Sequence, residues 1–187
     1  HALGIDIWEV IAAAATKPFG FQAFYPGPGV GGHCIPLDPN YLAWRAREAG
    51  FAARFIDLAE QVNTRMPAYT ADRISDLLNR RGLPVFGTRV LGVGLAFKPG
   101  VADDRESPAV HVLEELARRG AEVLAWDPLV DSSRIAGHGF IPVEGDRVPP
   151  DVALAVILTD HDLFDYPAIA ASVPVVFDAR GAYARRG

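Results

Sequence analysis

Apolar and polar positions change their spacing about halfway along the chain. Up to about residue 83 the apolar positions recur at helical intervals, with Leu3, Ile7, Val10 and Ile11 in one segment and Leu58, Val62, Ile74, Leu77 and Leu78 in another. This spacing predicts helix over residues 1–16, 40–49 and 55–81. Pro67 falls inside the last of these and is expected to kink or restart it, because proline removes a backbone donor and crowds the preceding turn. Arg80, Arg81 and Gly82 have the chemistry of a helix C-terminus. The intervening stretch, residues 17–38, holds five glycines and several prolines, so an extended loop is expected there.

From Thr88 onward the pattern becomes one of short, continuous apolar runs. Residues 89–97, 121–126, 152–158 and 173–177 read as buried strands, and residues 107–119 as an amphipathic helix with Pro108 in a tolerated first-turn position. Strands separated by helical or loop segments of this length indicate βαβ units and a parallel sheet. The expected fold class is α/β. A helical portion over 1–83 precedes a doubly wound parallel sheet over 84–187. The apolar face of the 55–81 helix exceeds what its small neighbours could cover, so it is expected to form a homodimer.

Composition mainly adds exclusions. With 187 residues, 50% hydrophobic and 22% charged, the chain falls in the ordinary globular range and suits one large domain or two small ones. A net charge of -5 argues against a basic nucleic-acid-binding face or a polybasic membrane anchor. No apolar run reaches the roughly 18 residues needed to cross a bilayer. Neither a nucleic-acid nor a membrane partner is expected, and the cytoplasm is the default location. Cys34 is the single cysteine, which excludes an intrachain disulfide and a four-cysteine zinc site; no metal is expected. Lys17 and Lys98 are the only lysines among 18 basic residues. The chain opens at His1 with no initiator methionine or signal-peptide pattern, and reads as a fragment entered within a helical region.

Two stretches carry candidate chemistry. In the loop Tyr25-Pro-Gly-Pro-Gly-Val-Gly-Gly-His-Cys-Ile-Pro-Leu-Asp38, glycines at 27, 29, 31 and 32 permit close backbone approach to a ligand and deliver Cys34 on a constrained segment. A free thiol is often a small core hydrophobe. The polar, glycine-rich setting, with His33 adjacent and Asp38 four residues on, instead suits a nucleophile. Asp38 also reads as an N-cap ahead of Pro39. In the second stretch, Gly92-Val-Gly94 on a strand, with Asp127 ending the next, imitates a dinucleotide fingerprint, but Phe97 occupies the third glycine position. Lys98, Arg105, Asp127, Thr159 and Arg180 fall beyond the carboxyl ends of strands, where doubly wound sheets bind ligands. Lys98 and Arg105 could hold phosphates. Alternatively, residues 98–106 are a solvated, ion-paired loop, since Asp103, Asp104 and Glu106 lie within it.

Residues 15–21, residues 24–42, Ala96-Phe-Lys98, Asp104-Arg-Glu-Ser-Pro108, Leu158-Thr-Asp-His161 and Phe177-Asp-Ala-Arg180 together resemble the nucleotide-sugar 6-dehydrogenases, the UDP-glucose/GDP-mannose dehydrogenase superfamily. The branch acting on UDP-N-acetylglucosamine or UDP-N-acetylmannosamine is the most similar. The resemblance implies a central helical dimerisation domain at 1–83, carrying the cysteine loop, and a C-terminal Rossmann-like UDP-binding domain at 84–187. It further implies an N-terminal NAD-binding domain not represented here, so that this portion alone would be inactive. The implied reaction is oxidation of a sugar C6 alcohol to a carboxylate with NAD as cofactor. Cys34 would form a thiohemiacetal and then a thioester, and Asp38 would help activate the water that hydrolyses it. Tyr25, Gly27, Gly29, Gly31, Gly32, Phe97, Lys98 and Arg180 would bind the UDP-sugar, with Lys98 near the diphosphate, and Arg105 would reach the NAD pyrophosphate. Leu37 stands where members acting on UDP-glucose commonly carry lysine. Residues 17–20 stand where those members place an arginine donated to the neighbouring subunit. Both departures favour an acetamido-sugar, or at least a substrate branch other than the one acting on UDP-glucose, which stays the second choice. The family's catalytic lysine and asparagine correspond to positions upstream of His1. From the residues alone, a non-catalytic nucleotide-binding or dimerisation module is the alternative.

Overall fold

The computed structural model describes residues 2–183; the outermost positions of the two expected domains, 1 and 184–187, lie outside them. Three helices come first: α1 (Ile7–Ala15), α2 (Asp38–Glu48) and α3 (Arg54–Arg80). An alternating set follows, comprising β1 (Arg89–Val93), α4 (Pro108–Arg118), β2 (Glu122–Trp126), α5 (Ser132–Gly137), β3 (Ile141–Pro142), β4 (Leu154–Ile157), α6 (Tyr166–Ala171) and β5 (Val175–Asp178). The five strands form one sheet in the order β3-β2-β1-β4-β5, with every pairing parallel. The α/β class and the parallel sheet expected from the apolar runs are therefore present.

The central strand is buried on both faces, which is why its sequence shows no alternation. On one face it meets Val112, Leu113 and Leu116 of α4 together with Ala71, Ile74 and Leu78 of α3. On the other, Leu91 and Val93 pack with Ile157, Phe164, Tyr166 and Ile169. Gly92 lets α4 approach, since a Cβ there would run into the Leu113 side chain. Ser107 caps α4 by accepting from the Ala109 amide at 3.2 Å, and Pro108 follows in the first turn. Arg119 ties α4 to α3 by donating to Asp72 at 2.6 Å and Ser75 at 2.8 Å.

Several local expectations change. Pro67 does not restart the long helix, and α3 runs unbroken for 27 residues. One lost donor is tolerated in a helix held at its C-terminal half by burial. β1 stops at Val93 rather than residue 97 because Gly94 takes φ +84° and turns the chain. Helix α1 begins at Ile7 rather than the first residue: Gly4 takes φ +71°, and Asp6 caps the helix by accepting from the Trp8 amide at 2.8 Å. Asp38 is not the N-cap of α2 either. Leu37 occupies the cap without a side-chain bond, and Asp38 lies in the first turn. The elements α5, β3 and α6 span six, two and six residues, too short for periodicity to reveal. Among the described residues no helix is long and apolar enough to cross a membrane.

Candidate functional site

The loops beyond the carboxyl ends of β1, β4 and β5 meet the glycine-rich loop of the first half, and the contact depends on glycine. A Cβ on Gly31 would crowd Pro108 and Phe97, and one on Gly32, at φ +91°, would strike the Phe97 ring. Gly32 donates its N–H to the Glu106 carbonyl at 3.4 Å. Gly27 lies against the Arg180 guanidinium and Gly29 against Pro108. Asn63 of α3 holds the same loop with both ends of its amide: its Oδ1 accepts from the Val30 N–H at 2.7 Å, and its Nδ2 donates to the Val30 carbonyl at 2.9 Å. Nothing in the helical pattern around Asn63 signals this clamp.

Between the glycine loop, the start of α2 and the N-terminal half of α3 opens an apolar cleft of about 570 Å³, with Tyr25, Gly27 and Gly29 on one wall, Ile56, Val62 and Met66 on another, and Arg180 bordering it. Gly29, Phe97, Lys98 and Arg180 also share a small adjoining recess. The structure thus distributes six of the sequence-predicted residues over these two neighbouring openings, Tyr25 and Gly27 in the cleft, Phe97 and Lys98 in the recess, and Gly29 and Arg180 in both; Gly31 and Gly32 lie behind them as packing positions. Lys98 is exposed, with its ammonium 5.5 Å from the Phe97 ring centroid. Arg180 donates to Asp160 at 3.1 Å.

Cys34 and Asp38 are both exposed, one turn apart at the entrance to α2. The Asp38 N–H donates to the Cys34 carbonyl at 2.8 Å. Ile35, Pro36 and Pro39, beside them in sequence, line the apolar cleft. His33 connects this turn to the β1–α4 loop, its Nε2 lying 3.6 Å from Asp103.

Asp103 accepts from the Arg105 guanidinium at 2.8 and 3.0 Å and from the Arg105 amide at 3.0 Å. These bonds hold the Asp103 carboxyl far below the usual carboxylate range. Arg105 is therefore drawn onto its own loop, although its side chain stays 63% exposed. Asp104, whose carboxylate is fully buried, anchors the loop on the other side through Arg134 and through His138 at 2.7 Å. Burial pushes its carboxyl up, but the His138 and Arg134 bonds outweigh this and lower it overall. Glu106 closes the loop at φ +50°, a conformation uncommon for a non-glycine residue.

Asp127 proves to be a structural centre. Its Oδ2 accepts from the amides of Leu95 at 2.7 Å and Ala96 at 3.0 Å, and its Oδ1 from those of Leu129 at 2.8 Å and Val130 at 3.2 Å. His161 Nε2 lies 3.0 Å from Oδ2. Burial raises the Asp127 carboxyl, but the bonds from His161 and from the amides of Ala96, Leu129 and Leu95 hold it below its ordinary value. A carboxylate so occupied has no capacity for a ribose. Gly94 serves packing as well, since a Cβ there would meet the Thr159 backbone. The features that imitate a dinucleotide fingerprint thus do not fit NAD, and Arg105 is the accessible cation left among those considered for it. Among the described residues no group of three or more His, Cys, Asp or Glu side chains is arranged to hold a metal.

Residues 1–65 match the model of the UDP-glucose/GDP-mannose dehydrogenase family, central domain, and residues 91–185 match its UDP binding domain. The NDP-N-acetyl-D-galactosaminuronic acid dehydrogenase of Ralstonia nicotianae is 31% identical over 98% of this chain and 42% of its own length. The UDP-N-acetyl-D-mannosamine dehydrogenase of Methanococcus maripaludis is 34% identical over 87% of this chain and 35% of its own. The solved structure of the UDP-D-ManNAc dehydrogenase from Pyrococcus horikoshii superposes with a TM-score of 0.80 at 29% identity, covering 97% of this chain and 42% of that one. The chain spans less than half the length of these relatives.

Proposed function

Because the chain belongs to the UDP-glucose/GDP-mannose dehydrogenase family, we propose that it is the substrate-binding and covalent-catalysis portion of an NAD-dependent nucleotide-sugar 6-dehydrogenase. The parent protein would oxidise the C6 alcohol of a UDP-sugar to the uronate. The observation that carries this reading is the meeting of Lys98, Phe97, Arg180 and the glycine loop around one recess. The Cys34 turn is joined to the same loop by the Gly32–Glu106 bond and the His33–Asp103 contact. The relatives' names and the departures at Leu37 and residues 17–20 favour an acetamido-sugar over glucose.

In this reading residues 84–187 hold the nucleotide, with Lys98 and Arg180 as cations for the diphosphate and the Phe97 ring walling the site. Tyr25, Gly27, Gly29, Gly31 and Gly32 fold over the sugar and uridine. Residues 1–83 supply the nucleophile and the dimer. The Cys34 thiolate adds to the C6 aldehyde and holds it as a thiohemiacetal, then holds the acid as a thioester, so the aldehyde never escapes. Asp38, one turn away, takes a proton from the water that releases the acid. NAD, the oxidant, is held mainly by a part of the parent protein outside these residues, with Arg105 as this chain's contribution.

Cys34→Ala in the full-length parent is expected to lower turnover of UDP-N-acetylglucosamine and NAD by on the order of 10⁴-fold or more while leaving UDP binding intact; undiminished turnover would rule out the covalent role. Calorimetry on the 187-residue chain is expected to show binding of UDP and UDP-N-acetylglucosamine and none of NAD. The reverse pattern would overturn the reading.

A further inference from the structure

The buried pair Asp127 and His161 has no part in the chemistry above, yet it supports the loop that carries Lys98. Asp127 follows β2 and His161 follows β4, so the two close over the end of β1 from both sides. Their side chains are 0% and 1% exposed. Asp127 Oδ2 accepts at 3.0 Å from His161 Nε2, and the Gly100 N–H is directed at His161 Nδ1 at 3.1 Å. Gly100 lies two residues beyond Lys98, in Lys98-Pro-Gly100.

These bonds determine where the ring carries its proton. Asp127 already accepts from four main-chain amides, so it acts as an ionised acceptor and Nε2 must be the donor. Nδ1 is then the free lone pair that receives the Gly100 N–H. A second proton places N–H against N–H at Gly100. It also strengthens the bond to Asp127, so the ring stays in place and the loop is the part that moves.

We infer that His161 is a positioning residue for Lys98, oriented by Asp127 and holding the loop through the Gly100 amide, and that protonation of its ring releases the loop and weakens binding of a nucleoside-diphosphate sugar. The inference rests on the proposed function only in taking Lys98 as the contact to that ligand. The other groups around the ring leave this logic intact. Tyr166 of α6 donates its hydroxyl to the His161 carbonyl at 2.8 Å, Phe164 presents an apolar ring at 5.8 Å, and the neighbouring Asp160 is paired with Arg180. Asp162 follows in the same loop, and Lys98 itself is the cation of the loop being held.

Two variants separate the bonds. His161→Asn places an oxygen near the Nδ1 position, able to accept from Gly100 but unable to protonate. His161→Gln reaches Asp127 and leaves Gly100 without an acceptor. The probe is UDP-N-acetylglucosamine, whose doubly substituted diphosphate does not itself titrate over the range used. Calorimetry between about pH 8 and about pH 5 is expected to show the wild-type chain losing about five- to tenfold in affinity. His161→Asn should hold its affinity across the range, and His161→Gln should be weak throughout. Nitrogen NMR of wild-type His161 should show Nδ1 unprotonated at the upper end, with the Gly100 amide signal reporting the bond it makes to that nitrogen. Wild-type pH dependence in His161→Asn, or a proton on Nδ1 at the upper end, would overturn the inference. Absence of binding at every pH would instead count against the proposed function, and the NMR signals would still decide the state of the ring.

Discussion

A single carboxylate, Asp127, organises the turns after β1 and β2 and orients His161. Asp127→Asn replaces one acceptor oxygen by a donor facing buried amides, and is expected to destabilise the chain by about 2–3 kcal/mol, read from a urea midpoint at neutral pH. Because its folded-state value lies below 3.8, its contribution to stability is fully present above that ordinary value and is lost as pH falls through the lower folded one. Acid unfolding of the wild type should therefore include a component below about pH 4 that the variant lacks. From sequence, Asp127 reads as part of an imitated dinucleotide fingerprint; its bonds to Leu129 and Val130 are local, but those to Leu95, Ala96 and His161 reach more than thirty residues in either direction and are visible only in the fold. The glycines at 92 and 94 illustrate the same limit. Their presence marks a close approach, but only the fold shows that Leu113 and the Thr159 backbone, rather than a cofactor, are what approaches.

At the scale of elements, long periodic segments were readable and short ones were not. Helices α3 and α4 and the central strands follow directly from spacing, whereas α5, α6 and β3 are held by tertiary contact rather than by their own pattern. The candidate site was legible where its residues share one segment, as in the glycine loop, and where strand ends converge, as at Lys98 and Arg180. It was not legible where one element grips another across the fold, as Asn63 grips Val30. Asn63→Ala is expected to speed hydrogen exchange of the Val30 amide and to weaken UDP-N-acetylglucosamine binding by about 1–2 kcal/mol, measured by calorimetry. Pro67→Ala should stabilise α3 by about 1–3 kcal/mol, visible as a higher urea midpoint, because it restores the donor that an otherwise continuous helix lacks.

For the whole molecule, the two halves of α3 differ in what covers them. Its C-terminal half buries Ala71, Ile74 and Leu78 against α4, while its N-terminal half leaves Phe55 90%, Leu58 55% and Val62 54% exposed along one stripe. Such a stripe of large apolar side chains is the surface through which we propose the homodimer forms. Phe55→Glu with Leu58→Glu is expected to shift the chain from dimer to monomer in sedimentation without moving its thermal midpoint measured at low concentration. A clean wild-type monomer at high micromolar concentration would dispose of the dimer.

The position of β1 at the middle of the sheet also has a consequence in time. Translation delivers β1 together with α4 and β2, but β4, which flanks β1 on its other side, follows only after α5 and β3 have been made. At about 5–20 residues per second, a nascent chain therefore spends several seconds with Leu91 and Val93 on an open hydrogen-bonding edge. During that interval the half-finished sheet is most exposed to pairing with the wrong partner, and a ribosome pausing before residue 154 would prolong it.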